Sequence, residues 1–170
     1  MLPTIALFAA VLAPLAPGDP LPELKGEYLS GGPALFPHDT RGKAALLAIS
    51  FTIDGGSAVA DWISRYLQDF DHHPRIISYD LAMLGGVAKM GKGVLDSNLR
   101  RSMPTASHKH VITGSSGTGA WKKRVGFKSP KDAYLILIDS NGIVRWTHAG
   151  VFDEPRYREL AAEIRKLIQP

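Results

Sequence analysis

The sequence contains no cysteine among its 170 residues. A chain without thiols forms no disulfide, holds no metal through thiolate and offers no thiol as nucleophile or redox centre. Thiol–disulfide exchange and thiol-based peroxide reduction are therefore excluded as activities of this chain by itself.

Charge is absent from the first sixteen residues, Met1 to Ala16, which are mostly apolar. This run is shorter than the roughly 20 apolar residues that cross a bilayer. A secretory signal has this length, but it starts with a basic region, and no basic residue precedes Lys25. We interpret residues 1–16 either as an export or membrane-tethering segment or as an N-terminal arm, so the localisation stays open.

The remaining composition, 45% hydrophobic and 21% charged, is typical of a globular protein with one full hydrophobic core. The net charge of +4 is unevenly distributed, because ten basic residues between 82 and 131 accompany a single acid, Asp96. A basic section is most often a solvated face, and next most often attracts an anionic membrane or an acidic polypeptide. Nucleic acid is not expected, since no aromatic platform interleaves the basic residues. The basic face is predicted from Arg100, Arg101, Lys122, Lys123 and Arg124.

Hydrophobic periodicity predicts alternating strands and helices after residue 43. Residues 44–51 are almost continuously apolar, as in a central strand covered on both faces. The expected elements that follow are a helix through 62–70, a strand at 75–79, a weak helix within 81–103, a strand at 109–113 and a short basic helix at 121–124.

The C-terminal third predicts an antiparallel hairpin followed by a helix. Residues 134–138 and 143–147 are apolar and are joined by a turn containing Asn141-Gly142, which supplies the positive φ that tight hairpins need. Asp153 or Glu154 can begin the last helix. The fold class is therefore α/β, with one domain over residues 17–170 and a mixed sheet.

Three short motifs resemble the thioredoxin-like superfamily, in its peroxiredoxin-related branch of alkyl hydroperoxide reductase and thiol-specific antioxidant type. They are Gly18–Pro22, Gly42-Lys43 before the central strand, and Leu137–Val144 in the hairpin. The resemblance implies a thioredoxin-like fold with helices on both faces of the sheet. It also implies a redox site at the junction of the central strand and the first helix.

At that junction the cysteine pair of the redox members is replaced by Asp54 and Ser57, and their cis-proline by Ala133. We expect Asp54 and Ser57 to cap the helix; an anion site on the amides of Gly55 and Gly56 is the alternative, which the carboxylate of Asp54 opposes. The resemblance implies a shallow groove for extended polypeptide, formed by Ile53, Asp54, Gly55, Gly56, Ser57, Trp62 and Ala133, with Asp132 and Tyr134 on either side of Ala133. Trp62 is equally interpretable as a core residue.

A closer likeness within the superfamily is to the mitochondrial ATP synthase assembly-factor family, whose thioredoxin-like domain does not need the cysteine pair. It depends on Trp62, His110–Gly114, Trp121–Gly126, Tyr134–Asp139 and Ile143–Trp146. It implies help in assembling a membrane protein, through a protein partner and without a cofactor.

Two histidines, His108 and His110, lie two residues apart and would share one face of a strand, as two metal ligands can. No third ligand is identifiable from the sequence. Three hypotheses therefore remain: a redox-inactive binding or assembly domain, a peroxiredoxin-related protein with lost activity or with chemistry at Asp54, Ser57 or a histidine, and a histidine-based metal carrier.

Overall fold

The computed structural model describes residues 13–85 and 91–169. The strands are β1 (Leu24–Tyr28), β2 (Pro33–Phe36), β3 (Ala44–Ser50), β4 (Ile76–Ala82), β5 (Val111–Thr113), β6 (Ala133–Ile138) and β7 (Val144–Gly150). The helices are α1 (Ile53–Phe70), α2 (Lys92–Ser102), α3 (Thr118–Arg124) and α4 (Glu154–Ile168), with short 3-10 segments at His38–Thr40 and Thr105–His110.

The strands form one mixed sheet in the order β2-β1-β5-β4-β3-β6-β7. All seven residues of β3 are buried, which accounts for the continuous apolar run at 44–50. β3 pairs in parallel with β4 and antiparallel with β6. The prediction that this strand lies inside the sheet is confirmed.

The predicted hairpin is present, since β6 and β7 pair antiparallel. Asp139 organises the turn: its Oδ1 accepts hydrogen bonds from the main-chain N–H groups of Asn141 and Ile143, and its Oδ2 accepts from Arg145. Gly142 has φ +78, and a Cβ there would lie 2.8 Å from the Pro37 side chain. Both the backbone conformation and the close approach therefore require glycine.

Two apolar layers cover the two faces of the sheet. On one face α1 and α4 bury Trp62, Tyr66, Tyr157 and Leu160. The other face is covered by Trp121 of α3 and by the N-terminal segment through Leu15 and Leu21, among others. The prediction of helices on both faces of a mixed sheet is confirmed. Leu15 is part of the core.

Three sequence predictions differ from the structure. The short strands β1 and β2 were not predicted, because β1 contains Lys25, Gly26 and Glu27 and β2 has only four residues and begins with Pro33. The strand expected at 109–113 begins only at Val111. The start of the helix expected at 81–103 belongs to β4, which is in register with β3 over all seven residues; α2 begins at Lys92, and residues 86–90 lie outside the described ones.

Candidate functional site

The junction of β3 and α1 occupies the position of the predicted site. Only Phe51 and Thr52 separate the strand from the helix. Thr52 is the N-cap, and its hydroxyl accepts a hydrogen bond from the Gly55 N–H at 2.9 Å. The expectation that Asp54 and Ser57 cap the helix is wrong, because the helix begins one residue after Thr52 and leaves both inside it, with exposed side chains.

The loop before β6 packs directly against the start of α1. The Thr52 hydroxyl donates a hydrogen bond to the Pro130 carbonyl, so this single hydroxyl connects the loop to the helix. A Cβ on Gly55 would lie 3.0 Å from the Pro130 carbonyl oxygen and 3.1 Å from that of Asp132. This close approach leaves room for glycine alone unless the loop shifts.

Tyr134 holds that loop in place. Its hydroxyl donates to the Ser129 carbonyl at 2.8 Å and accepts from the N–H groups of Lys128 and Ser129, each at 3.0 Å. Its ring lies 5.5 Å from the rings of both Phe51 and Phe127, centroid to centroid. The loop is therefore fixed from below by a buried aromatic cluster and from the side by Thr52.

The residues expected to form a groove are divided between surface and interior. Ile53 is 78% exposed, although it is a large apolar residue. Asp54 and Ser57 are exposed, and Gly56 is half-buried. Gly55, Trp62 and Ala133 are buried. The accessible part of the expected groove is thus the outer surface of the first turn of α1.

Trp62 is a core residue. Its exposed fraction is 0%, and its indole N–H donates to the Gly150 carbonyl at 3.2 Å. Its ring packs against those of His148 and Phe152. Burial, with a further contribution from Arg156, lowers the pKa of His148, so this histidine is a neutral packing partner at neutral pH.

The basic residues of α3 lie close to this surface. The Lys122 ammonium is 4.6 Å from the centroid of the Phe127 ring and 5.8 Å from that of Phe51. Lys123 is exposed. The main-chain carbonyl oxygen of Arg124 accepts a hydrogen bond from the Leu15 N–H. Phe51 therefore connects the cationic end of α3 to the start of α1.

The other two predicted basic residues contact a different part of the fold. Arg100 donates to the Leu29 carbonyl at 3.0 Å, and Arg101 donates to Ser97 and Asn98 within α2. No hydrogen bond within 13–85 and 91–169 joins them to α3. None of the five basic residues, Arg100, Arg101, Lys122, Lys123 and Arg124, forms an ion pair with a residue in those two ranges.

The two histidines do not form the predicted pair on a strand. Both belong to the 3-10 segment Thr105–His110. A ring nitrogen of His108 lies 3.2 Å from the Met103 carbonyl oxygen, and one of His110 lies 3.2 Å from that of Ser78. Across the described part of the chain, no three His, Asp or Glu side chains converge as metal ligands.

Sequence reasoning missed Thr52, although a threonine that ends an apolar run is a preferred N-cap. It placed Tyr134 in the groove but gave no indication that Tyr134 anchors the loop, because its hydroxyl contacts depend on a loop whose path the sequence does not show. An enzymatic role for Ser57 gains no geometric support, since its described hydrogen bonds include none to a histidine.

The chain has a thioredoxin-like fold, with Asp54 and Ser57 in the first turns of α1. No family model matches the sequence, and no curated protein matches it.

Several solved structures are similar to this chain in fold. A putative thiol:disulfide interchange protein DsbE from Chlorobium tepidum has a TM-score of 0.66 and 20% identity, covering 91% of this chain and 99% of its own. A peroxiredoxin-like protein from Aquifex aeolicus has a TM-score of 0.62 and 15% identity, covering 91% and 89%. BsSco, a member of the Sco family of cytochrome c oxidase assembly proteins, has a TM-score of 0.57 and 12% identity, covering 90% and 96%. At these identities the likeness shows the fold alone, and none of these three is an ATP synthase assembly factor.

The structure also bears on the membrane question. Among the helices of residues 13–85 and 91–169, none combines the length and the apolar character that crossing a bilayer requires.

Proposed function

We propose that this chain is a redox-inactive thioredoxin-like binding domain that holds an acidic polypeptide at the start of α1. The observation that carries the proposal is Ile53, which is 78% exposed and lies two positions after Phe51, whose ring is 5.8 Å from the Lys122 ammonium of α3. The basic residues of α3 have no ion pair among the described residues. Apolar exposure and uncompensated positive charge together suit a ligand that carries both acidic and apolar side chains.

The basic residues of α3 and the exposed Ile53 contribute to binding in different ways. Lys122, which is half-buried, and Lys123, which is exposed, attract an acidic chain from a distance and raise its association rate. Ile53 then buries its side chain against the bound chain, which supplies short-range stabilisation that salt does not screen. The loop held by Thr52 and Tyr134 keeps this surface rigid, so that little conformational entropy is lost on binding.

An assembly or chaperone role for a membrane-proximal partner is the finer form of this proposal. The fold-level likeness to BsSco, which belongs to a family of cytochrome c oxidase assembly proteins, supports it by analogy. An anionic membrane surface is the competing ligand, because it also attracts basic side chains, at about 1 kcal/mol each. Neither nucleic acid nor a cofactor is part of the proposal.

The test measures binding of a fluorescent peptide rich in Asp, Glu and Leu, at 10 mM and 150 mM salt. Over that range the screening length falls from about 30 Å to about 8 Å, so affinity should fall at least tenfold. Exchanging Lys122, Lys123 and Arg124 for Glu should abolish binding at low salt. Exchanging Arg100 and Arg101 for Glu shows whether α2 also contributes.

Ile53→Ser tests the apolar contact, and Val94→Ser is its matched control, since Val94 is 66% exposed and belongs to α2. Ile53→Ser should weaken binding several-fold at both salt concentrations, and Val94→Ser should not. Equal effects of the two variants, or binding that ignores both salt and the α3 charge reversal, would contradict the proposal. Binding to phosphatidylserine vesicles but not to the peptide would assign the face to a membrane instead.

A further inference from the structure

A second site is formed by a cavity of about 720 Å³ between the C-terminal half of α1, β4 and the 3-10 segment Thr105–His110. Its volume lies within the range of about 300–1,000 Å³ that small-molecule sites occupy. No residue of the α1 start or of α3 lines it. The cavity is therefore separate from the surface proposed above.

The walls of the cavity are apolar and aromatic. Ile63, Leu67 and Phe70 line it from α1, and Met103 lines it from the opposite side. The rings of Tyr66 and Phe70 lie 5.5 Å apart, centroid to centroid. Such walls suit the apolar body of a small molecule, and aromatic faces also attract a cation.

Asp80 supplies the acid of the cavity. It pairs in register with Ala48 of β3, which belongs to the apolar layer under α1, so the side chain of Asp80 lies on the α1 side of the sheet. In the described residues its carboxyl group has no hydrogen bond and no ion pair. By contrast, the buried acids Asp96 and Asp139 are paired with Lys92 and Arg145. The side chain of Asp80 is half-buried, so water that enters the cavity, or a ligand, must supply its hydrogen-bond donors.

The charged groups around the cavity do not donate hydrogen bonds to Asp80. The cavity is lined by Lys43, just before β3, by Asp71, His72 and His73, just after α1, and by Lys109 and His110 of the 3-10 segment. Burial alone raises the pKa of Asp80 to about 7, so none of these groups offsets the cost of ionising Asp80. The side chains of Lys43 and Lys109 are exposed, and salt screens their charge.

We propose that this cavity binds a small apolar amine, with its ammonium group on the Asp80 carboxylate and its apolar body against Ile63, Leu67 and Phe70. The ammonium group supplies both the counter-charge and the hydrogen-bond donors that Asp80 lacks. Binding of this kind does not depend on the polypeptide surface at the start of α1.

The experiment uses three probes with one apolar body and different head groups: phenethylamine, 2-phenylethanol and phenylacetate. Calorimetry at pH 8 should show phenethylamine binding at least tenfold more tightly than the other two. Amide chemical-shift changes should occur around Tyr66, Phe70 and Asp80 and not around Ile53. Equal affinity for the three probes, or no binding of phenethylamine at millimolar concentration, overturns the proposal.

Two variants make the test specific to Asp80. Asp80→Asn keeps the shape and removes the charge, so it should lose the preference for the amine. Asp61→Asn makes the same change on an exposed acid of α1 that does not line the cavity, and it should keep the preference. An Asp80→Asn protein that still prefers the amine tenfold would overturn the proposal.

The pH dependence provides a further readout. An aliphatic ammonium keeps its proton below pH 8, so the amine should bind up to about tenfold more weakly for each unit below the pKa of Asp80. His72, His73 and His110 also line the cavity, and subtracting the profile of Asp80→Asn removes the contributions of groups other than Asp80. Affinity that rises as the pH falls would show that the protonated acid, and a different ligand class, is preferred.

Discussion

The contact between the start of α1 and the loop before β6 makes two adjacent glycines behave oppositely when each is replaced by alanine. Gly55 and Gly56 are neighbours in the first turns of one helix, so alanine brings the same propensity gain of about 1 kcal/mol at most to both. They differ in their surroundings. A Cβ at Gly56 would meet no heavy atom within 4 Å, whereas one at Gly55 would meet two carbonyl oxygens at 3.0 Å and 3.1 Å.

The magnitude follows from that difference. Gly56→Ala should raise the free energy of unfolding by about 0.5–1 kcal/mol. Gly55→Ala carries the same gain but also an overpacking cost of about 1–3 kcal/mol, because main-chain carbonyls cannot rotate away as a flexible side chain can. The net effect at Gly55 is a loss of up to about 2 kcal/mol, obtained by setting that cost against the propensity gain.

Urea denaturation of the wild type and both variants measures these changes as shifts of the midpoint at a constant slope. The quantity to compare is the difference between the two variants, since the common helix propensity cancels. A difference of about 1–3 kcal/mol is expected from the overpacking term. Two equally stabilised variants would refute the reasoning, because the loop at Pro130–Asp132 would then not lie against the helix.

Three further predictions concern the same molecule. Thr52→Ala should lower the free energy of unfolding by about 1–2 kcal/mol in urea denaturation, while Asp54→Ala, which removes no cap, should cost less than half of that. The purified protein should neither reduce insulin disulfides nor consume hydroperoxide above a buffer control, since it has no thiol; turnover of either substrate without added cofactor would contradict this. Because the folded-state pKa of Asp80, about 7, lies above its ordinary value, the folded state holds a proton that the unfolded chain has lost. Wild-type stability relative to Asp80→Asn should therefore fall as the pH rises towards 7, by at most about 1.4 kcal/mol per pH unit, and a flat difference would contradict the burial of this carboxyl.

The sequence was most informative where a pattern reports one local property. A continuous apolar run at 44–50 indicated burial on both faces, and Asn141-Gly142 indicated a positive φ; both features are present. The sequence was less informative where the role of a residue depends on the elements packed around it. Thr52 caps α1 in place of Asp54 because the helix begins immediately after β3, and this junction length is a property of the fold.

In the candidate site, too, local features were predictable from the sequence and long-range contacts were not. Asp54 and Ser57 were identifiable by their spacing, but the contact of Gly55 with the loop at 130–132 joins residues more than seventy positions apart in the chain. Asp80 lay just outside the strand expected at 75–79 and drew no prediction, and the cavity beside it depends on how α1 and the segment 105–110 pack around β4. Long-range packing of this kind has no periodicity that a single sequence reveals.

The junction of β3 and α1 is held against the loop before β6 by three contacts. Thr52 connects the helix start to Pro130, Gly55 lets the loop approach, and Tyr134 anchors it, so the interior side of the junction is closed by the protein itself. What stays open is the outer surface, where Ile53 and the cations of α3 lie, and the cavity on the far part of α1. The two proposals for these sites predict different responses: binding at the start of α1 should weaken with salt, and binding at Asp80 should weaken as the pH falls below about 7. Each can therefore fail without affecting the other.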